Sequence, residues 1–194
     1  MALDTTTSPQ GPRFDAGRSC LDLLATAHPE ERIGTPEELA EWIVEAGLVP
    51  VGASLQGIDG CWVAGFRELR LHANRLIRAR TAHPGDSLDR INRTARAAAP
   101  PAVRAVPGEM GCLIRELAEP VRCAALLSLL ARDTVDLLTD PRARAAVREC
   151  EADGCPLLYL DTSRGRRRRW CSSEGCGNRE RVARHRRRAA LARS

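Results

Sequence analysis

The chain contains no lysine: all 30 of its basic residues are arginine, set against 25 acidic residues for a formal net charge of +5. A uniform choice of Arg over Lys is what a GC-rich genome produces, so arginine abundance alone says little about a partner. Aromatic residues are equally sparse, with two Phe, three Trp and one Tyr among 194 positions. A hydrophobic share of 43% must therefore build its core mainly from aliphatic side chains. No apolar run approaches the roughly 20 residues that span a bilayer, which excludes a membrane-spanning segment. The stretch Met1–Gln10 has neither a basic n-region nor an apolar h-region, so it does not read as a signal peptide. A cytoplasmic location is expected, where thiols stay reduced and can bind metal. The sequence also lacks a Gly-rich phosphate loop, a paired-carboxylate signature and a nucleophile elbow. His28, His72 and His83 sit at no metal-ligand or triad spacing. No enzyme is expected.

What the chain does have is concentrated near its C-terminus. Residues 161–194 hold twelve Arg against Asp161, Glu174 and Glu180, a net of +9, while residues 1–160 carry a net of −4. A nearly neutral body with a cationic tail points to a polyanionic partner at the tail.

The same region holds a cysteine pattern. Cys150 and Cys155 bracket four residues, fifteen residues intervene, and Cys171 and Cys176 bracket four more. Gly154 and Gly175 stand just before the second cysteine of each pair, where a tight turn lets both sulfurs converge. Two such loops supply the four sulfurs of a tetrahedral structural Zn²⁺ site with no open position for chemistry. A disulfide pairing needs an oxidising compartment. An iron–sulfur cluster also takes four Cys, though the symmetric loops and polar, basic setting fit zinc better. Cys20, Cys61, Cys112 and Cys123 follow no such spacing and are expected to fill core space.

The closing tetrapeptide Cys176-Gly177-Asn178-Arg179, together with Leu160-Asp161-Thr162-Ser163-Arg164 and Trp170-Cys171, resembles the CGNR zinc fingers over about 45 residues. The segment Leu21-Asp22-Leu23-Leu24-Ala25-Thr26 resembles the start of the ABATE domain, with Ala25 where Asn is usual. The resemblance implies a helical N-terminal domain of stress-induced transcription regulators joined to a DNA-binding zinc finger of bacterial type. It also marks Asp161, Trp170, Gly177, Asn178 and Arg179 as structural signature residues, and it leaves Asp22 as a helix cap, a surface charge or a group that orients a ligand.

Apolar periodicity divides the rest into helices. Residues 1–13 read as mobile, and a first helix follows Gly17. Thr35-Pro36-Glu37-Glu38 starts a helix with a capping box, Leu39, Trp42, Ile43 and Ala46 follow at helical spacing, and Gly47 stops it. A second stripe, Trp62, Phe66, Leu69, Ala73, Leu76 and Ile77, predicts a helix over about 59–80. Its other face bears Arg67, Arg70, Arg75 and Arg78, read as a solvated face first and a nucleic-acid surface second. His83-Pro84-Gly85 breaks it, and Asp86 opens a helix with Leu88, Ile91 and Ala95 inward. Val103–Val106 and Cys112–Leu117 predict two strands around Pro107-Gly108. Glu119-Pro120 opens a long helix through Ala124, Leu127, Leu130, Ala131, Val135 and Leu138, the centre of the bundle. Asp140-Pro141 restarts a short helix or an extended lead.

The expected fold is mainly α: a helical domain over 14–145, then a small α+β, treble-clef-like zinc module over 146–194. In the module, Leu157–Leu160 is expected as a strand with Arg167–Trp170 returning antiparallel to it around a turn at Asp161–Gly165. Trp170 should pack beside the metal knuckle, and Arg179 should bond Asp161 or a backbone carbonyl. Asn178 should cap a helix over about Arg179–Leu191. Candidate nucleic-acid contacts are Arg166, Arg167, Arg168 and Arg169, and Arg181, Arg184, Arg187 and Arg188. Like charges four apart, such as Arg184 and Arg188, destabilise a free helix by a few tenths of a kcal/mol, which phosphates would relieve. A solvated, disordered tail is the plainer alternative. The leading reading is a DNA-binding transcription regulator whose N-terminal domain senses something or forms a homodimer. An adaptor that contacts protein, and an RNA-binding protein, are the alternatives.

Overall fold

The structure, a computed structural model, describes residues 16–79 and 85–191. The segment 1–13 and the break at His83-Pro84 lie outside the described residues. Within them are seven α-helices and four short strands.

The first two helices start as their sequences dictate. Gly17, at φ +83°, turns the chain into α1 (Ser19–Ala25). The amide of Ala16 donates to Asp22 Oδ1 at 2.7 Å, which ties the chain ahead of α1 to its first turn. α2 (Pro36–Glu45) carries the full capping box: Glu38 N donates to Thr35 Oγ1 at 3.2 Å and Thr35 N to Glu38 Oε2 at 3.1 Å. Gly47, at φ +68°, then ends the helix in the left-handed region that suits glycine.

α3 (Gly60–Arg78) is capped by Asp59, whose Oδ1 accepts from the amides of Cys61 and Trp62. It buries Val63, Phe66, Leu69, Ala73 and Leu76, close to the expected stripe. Phe66 meets Trp42 edge-to-face, with ring centroids 6.0 Å apart and planes at 81°, a geometry the ring quadrupoles favour. In α4 (Gly85–Arg96) Ile91 is fully buried, but Leu88 is exposed and Ser87 is buried in its place. The Ser87 hydroxyl lies 3.0 Å from His72 Nδ1, which satisfies it.

α5 (Cys123–Thr139) is the central helix, but it begins later than Glu119-Pro120 and fully buries only Leu130 and Ala131 of the expected stripe, with Leu127, Val135 and Leu138 partly buried against the core. Leu126, Leu130, Ala131, Thr134 and Leu137 face inward with Ser128, and Ala124 is exposed. Its first half, residues 123–131, is apolar on every side but for Ser128, so the phase cannot be read from leucines alone. The two hydroxyls fit the core because each has an acceptor. Ser128 Oγ donates to the carbonyls of Ala95 and Ala98 at 2.8 Å, closing the end of α4, and Thr134 Oγ1 donates to Leu130 O at 2.9 Å.

The strands β1 (Val103–Pro107) and β2 (Leu113–Leu117) pair antiparallel as expected, with Val103 opposite Leu117 and Pro107 opposite Leu113. α6 (Pro141–Ala146) follows, with Asp140 Oδ1 accepting from Arg142 N at 2.8 Å. β3 (Val147–Glu149), β4 (Leu158–Leu160) and α7 (Cys176–Leu191) complete the chain.

The buried residues form two clusters. One lies among α2, α3, α4 and α5 and takes in Leu23 of α1. The other joins Ala16, Cys20, Leu21 and Leu137 to Leu158, Tyr159 and the four cysteines of the C-terminal module. The N-terminal helix α1 is thus part of the core of the module that ends the chain. Cys20 fills core space as expected, and Cys123 is half-buried, but Cys61 and Cys112 are exposed because they fall on a helix start and a turn.

Candidate metal centre and its basic helix

The first cysteine pair sits in the connection between β3 and β4. These strands pair antiparallel, Val147 opposite Leu160 and Glu149 opposite Leu158, and the ladder continues through Cys150 N to Leu157 O at 2.9 Å. Gly154, at φ +69°, makes the turn that brings Cys155 back beside Cys150. The expected return of Arg167–Trp170 onto β4 does not occur. One edge of β4 is taken by β3 and the other by Ala16, whose carbonyl accepts from Leu160 N at 2.7 Å. The 167–170 segment instead lies against the first knuckle: Glu151 N donates to Arg169 O at 2.9 Å, and the Tyr159 hydroxyl to Arg168 O at 2.5 Å.

The second pair is set at the start of α7. That helix begins at Cys176 itself, so Asn178 lies inside its first turn and is not the N-cap. Ser172 closes the loop in place of Asn178: its Oγ accepts from Gly175 N at 3.0 Å and its carbonyl from Gly177 N at 2.8 Å. A Cβ on Gly177 would stand 3.2 Å from that carbonyl and 3.6 Å from the Trp170 ring, which gives this glycine a steric reason. Trp170 packs half-buried beside the knuckle, with the Arg169 guanidinium 5.3 Å from its ring centroid. Knuckle, hairpin and ligand-bearing helix give the treble-clef-like order.

The sulfurs of Cys150, Cys155, Cys171 and Cys176 all lie within 4.8 Å of one another, and all four residues are buried. Cys155 and Cys171 sulfurs are 3.9 Å apart, and those of Cys171 and Cys176 are 3.6 Å apart. A tetrahedron with Zn–S bonds of about 2.3 Å has sulfurs about 3.8 Å apart, and a disulfide would bring them to about 2 Å. One structural Zn²⁺ fits this site. Burial pushes the Cys155 thiol up to about 11 and Cys171 higher still. At Cys150 burial also opposes ionisation, but the amides of Cys171 and Ala152 outweigh it and lower the thiol. Four thiolates in this volume therefore require a cation.

Arginines hold this site from two sides. Arg179 Nη2 donates to the Cys176 sulfur at 3.2 Å, neither to Asp161 nor to a carbonyl as expected. Arg168 lies with its guanidinium 4.5 Å from the Tyr159 ring centroid, donates through Nε to Trp170 O at 2.9 Å and through Nη2 to Cys171 O. Asp161, 2% exposed, accepts from Ser163 N at 3.0 Å and Arg168 N at 3.2 Å and so fixes the turn after β4. The Ser163 hydroxyl first, against burial, and then these two amides keep its carboxyl below the usual range. Tyr159 is the chain's only tyrosine and is fully buried, and burial lifts its hydroxyl to about 12.

The eight candidate arginines thus separate. Arg168 is bound into the fold, Arg169 pairs with Glu151 at 2.6 Å, and Arg181 donates to Ser173 O at 3.2 Å. Arg166, at φ +47°, and Arg167 are exposed on the turn. Arg184, Arg187 and Arg188 are exposed on α7 and have no side-chain partner among the described residues. Beyond Gly177 no described residue of α7 is buried.

Sequence reasoning missed Asp133. Its Oδ2 accepts from Cys20 N at 2.8 Å and its Oδ1 pairs with Arg18 at 2.8 Å, so α5 caps α1 across more than a hundred residues. No local signal marks a cap supplied from so far along the chain.

Residues 17–141 match the ABATE family, described as Putative stress-induced transcription regulator. Residues 146–189 match the CGNR zinc finger. No curated protein matches the chain.

Proposed function

Because the chain belongs to the ABATE family and ends in a CGNR zinc finger, we propose that it is a DNA-binding transcription regulator of the bacterial cytoplasm, not an enzyme. The division falls between a helical domain at 14–145 and the finger at 146–194. The single observation that carries the reading is α7. This helix of sixteen residues starts on the last zinc ligand, buries none of its described residues beyond Gly177, and presents Arg184, Arg187 and Arg188 without partners among the described residues. Sixteen residues span about 24 Å, enough to lie along a major groove. Arg181, Arg184 and Arg188 recur at i, i+3 and i+7 and share one face. Arg166 and Arg167 add charge on the turn after β4.

Each cation set against a phosphate releases a counterion, so affinity for DNA should fall steeply with salt. The test is a titration of the zinc-loaded chain against duplex DNA and duplex RNA of the same sequence over a range of salt. Preferential, salt-steep binding to DNA supports the reading. Preference for RNA, or binding to neither, overturns it in favour of an RNA-binding protein or an adaptor.

A further inference from the structure

The arginine face of α3 is not simply open to solvent. It forms one wall of a cleft of ≈ 440 Å³, with Leu24 of α1 on another side and Leu157 and Leu158 of the zinc knuckle on the third. Along α3 the wall runs from Arg67 through Leu71 to Arg78, about 16 Å at 1.5 Å per residue.

The two ends of this wall differ in charge. At the knuckle end Arg78 is fully engaged: Nη1 pairs with Glu149 at 2.8 Å, Nε donates to Asn74 at 2.9 Å, and Nη2 reaches the Pro156 carbonyl. At the other end two guanidiniums face one carboxylate. Arg70 takes both oxygens of Glu31, at 2.7 and 2.5 Å, and also donates to the Thr26 hydroxyl at 2.7 Å. Arg67 meets Glu31 only through Nε, at 3.4 Å, and its side chain is 51% exposed. Its terminal nitrogens have no partner among the described residues. One positive charge is left over at the mouth of a cleft whose middle is lined by leucines. Leu71 is itself 47% exposed there.

We propose that this cleft binds a small amphipathic monocarboxylate. The carboxylate sits on the terminal nitrogens of Arg67, whose planar edge matches its two oxygens. The hydrocarbon body lies against Leu24, Leu71 and Leu157. One surplus charge suits a monoanion, and the leucines beside it favour an anion with a hydrocarbon body over a bare inorganic one. Pro156 and Leu157 directly follow Cys155, so an occupied cleft buttresses the first knuckle and slows zinc loss. None of this depends on what α7 binds.

The test uses the full-length, zinc-loaded chain with benzoate and octanoate as probes, and benzamide and inorganic phosphate as controls. A carboxylate should produce saturable methyl shifts at Leu24, Leu71 and Leu157. At about ten times its Kd it should raise Tm by about 3–6 °C, and it should slow zinc transfer to a chelator. Benzamide and phosphate should do none of these. Arg67→Gln, at a half-exposed position, should weaken binding about tenfold or more with zinc content unchanged. Leu71→Gln, also exposed, should weaken octanoate severalfold. The site is wrong if neither carboxylate moves those methyls, if benzamide binds as well as benzoate, or if Arg67→Gln binds as tightly as the parent. Binding without slower zinc transfer overturns the buttress.

Discussion

The Arg179 guanidinium lies 3.2 Å from the sulfur of Cys176, one helical turn before it. A Zn²⁺ with four thiolates carries a net −2 charge, and a cation in hydrogen-bond contact with a ligand sulfur lowers that burden. The signature arginine therefore belongs to the metal site. Arg179→Ala should raise the rate of zinc loss to a chelator and weaken zinc by about 10–100-fold, the range found when groups that support metal ligands are removed. Arg179→Lys should recover part of the loss. Competition titration with a chromogenic chelator measures both.

The metal itself should be stoichiometric and indispensable to the module. One Zn²⁺ per chain is expected, and replacement of any one of Cys150, Cys155, Cys171 or Cys176 by Ser should remove it, since in small zinc sites binding energy is folding energy. Elemental analysis of Cys171→Ser is the check, with zinc at parental levels as the adverse result.

Zinc removal should reach further than the finger and stop short of the bundle. Ala16, Cys20 and Leu21 share a cluster with the four cysteines, and Leu160 N is bonded to Ala16 O. The larger cluster contains none of these three residues, though it takes in Leu23 of α1. Hydrogen exchange after chelation should show loss of protection at Leu160 and through α1, with amides in the middle of α3 and α5 still protected. Loss of protection throughout would mean that the two clusters fold as one unit.

That seam shows where the sequence stops being readable. The capping box at Thr35, the stop at Gly47, the hairpin around Pro107 and the four-sulfur site depend on neighbours a few residues away, or on cysteine spacing, and each appears in the fold where its residues predict it. The burial phase of α5 depends on which face its neighbours present, and two hydroxyls on the buried side hide it. The partner of β4 depends on Ala16, 144 residues earlier, and the cap of α1 on Asp133. Asn178 has the right chemistry for a cap, but the helix starts earlier because the Ser172–Gly175 loop supplies the turn. The arginines looked alike in sequence. Only their partners distinguish Arg168, held over Tyr159, from Arg184, held by nothing among the described residues.

Glu31 gives the pH dependence a definite sign. The hydrogen bonds from Arg70, ahead of burial, which acts the other way, hold its carboxyl below the ordinary range. Its contribution to stability is thus present above the unfolded value of about 4.3 and fades as pH falls through the lower folded value. A carbon-detected carboxyl titration should place Glu31 below that value. Arg70→Gln should move it back up. An ordinary Glu31 titration in the parent would contradict this account.

The central claim is that α7 holds nucleic acid through arginines the fold does not use. The most direct measurement is duplex DNA binding by the parent and by the Arg184→Ala, Arg187→Ala, Arg188→Ala triple variant from roughly 50 to 300 mM salt, a range over which about six phosphate contacts change affinity by orders of magnitude. The account predicts weaker binding and a log–log salt slope reduced in magnitude by about 2–3, since each lost phosphate contact removes about 0.9, with zinc content unchanged. A triple variant that binds duplex DNA as tightly as the parent across that range, with the same slope, would contradict it.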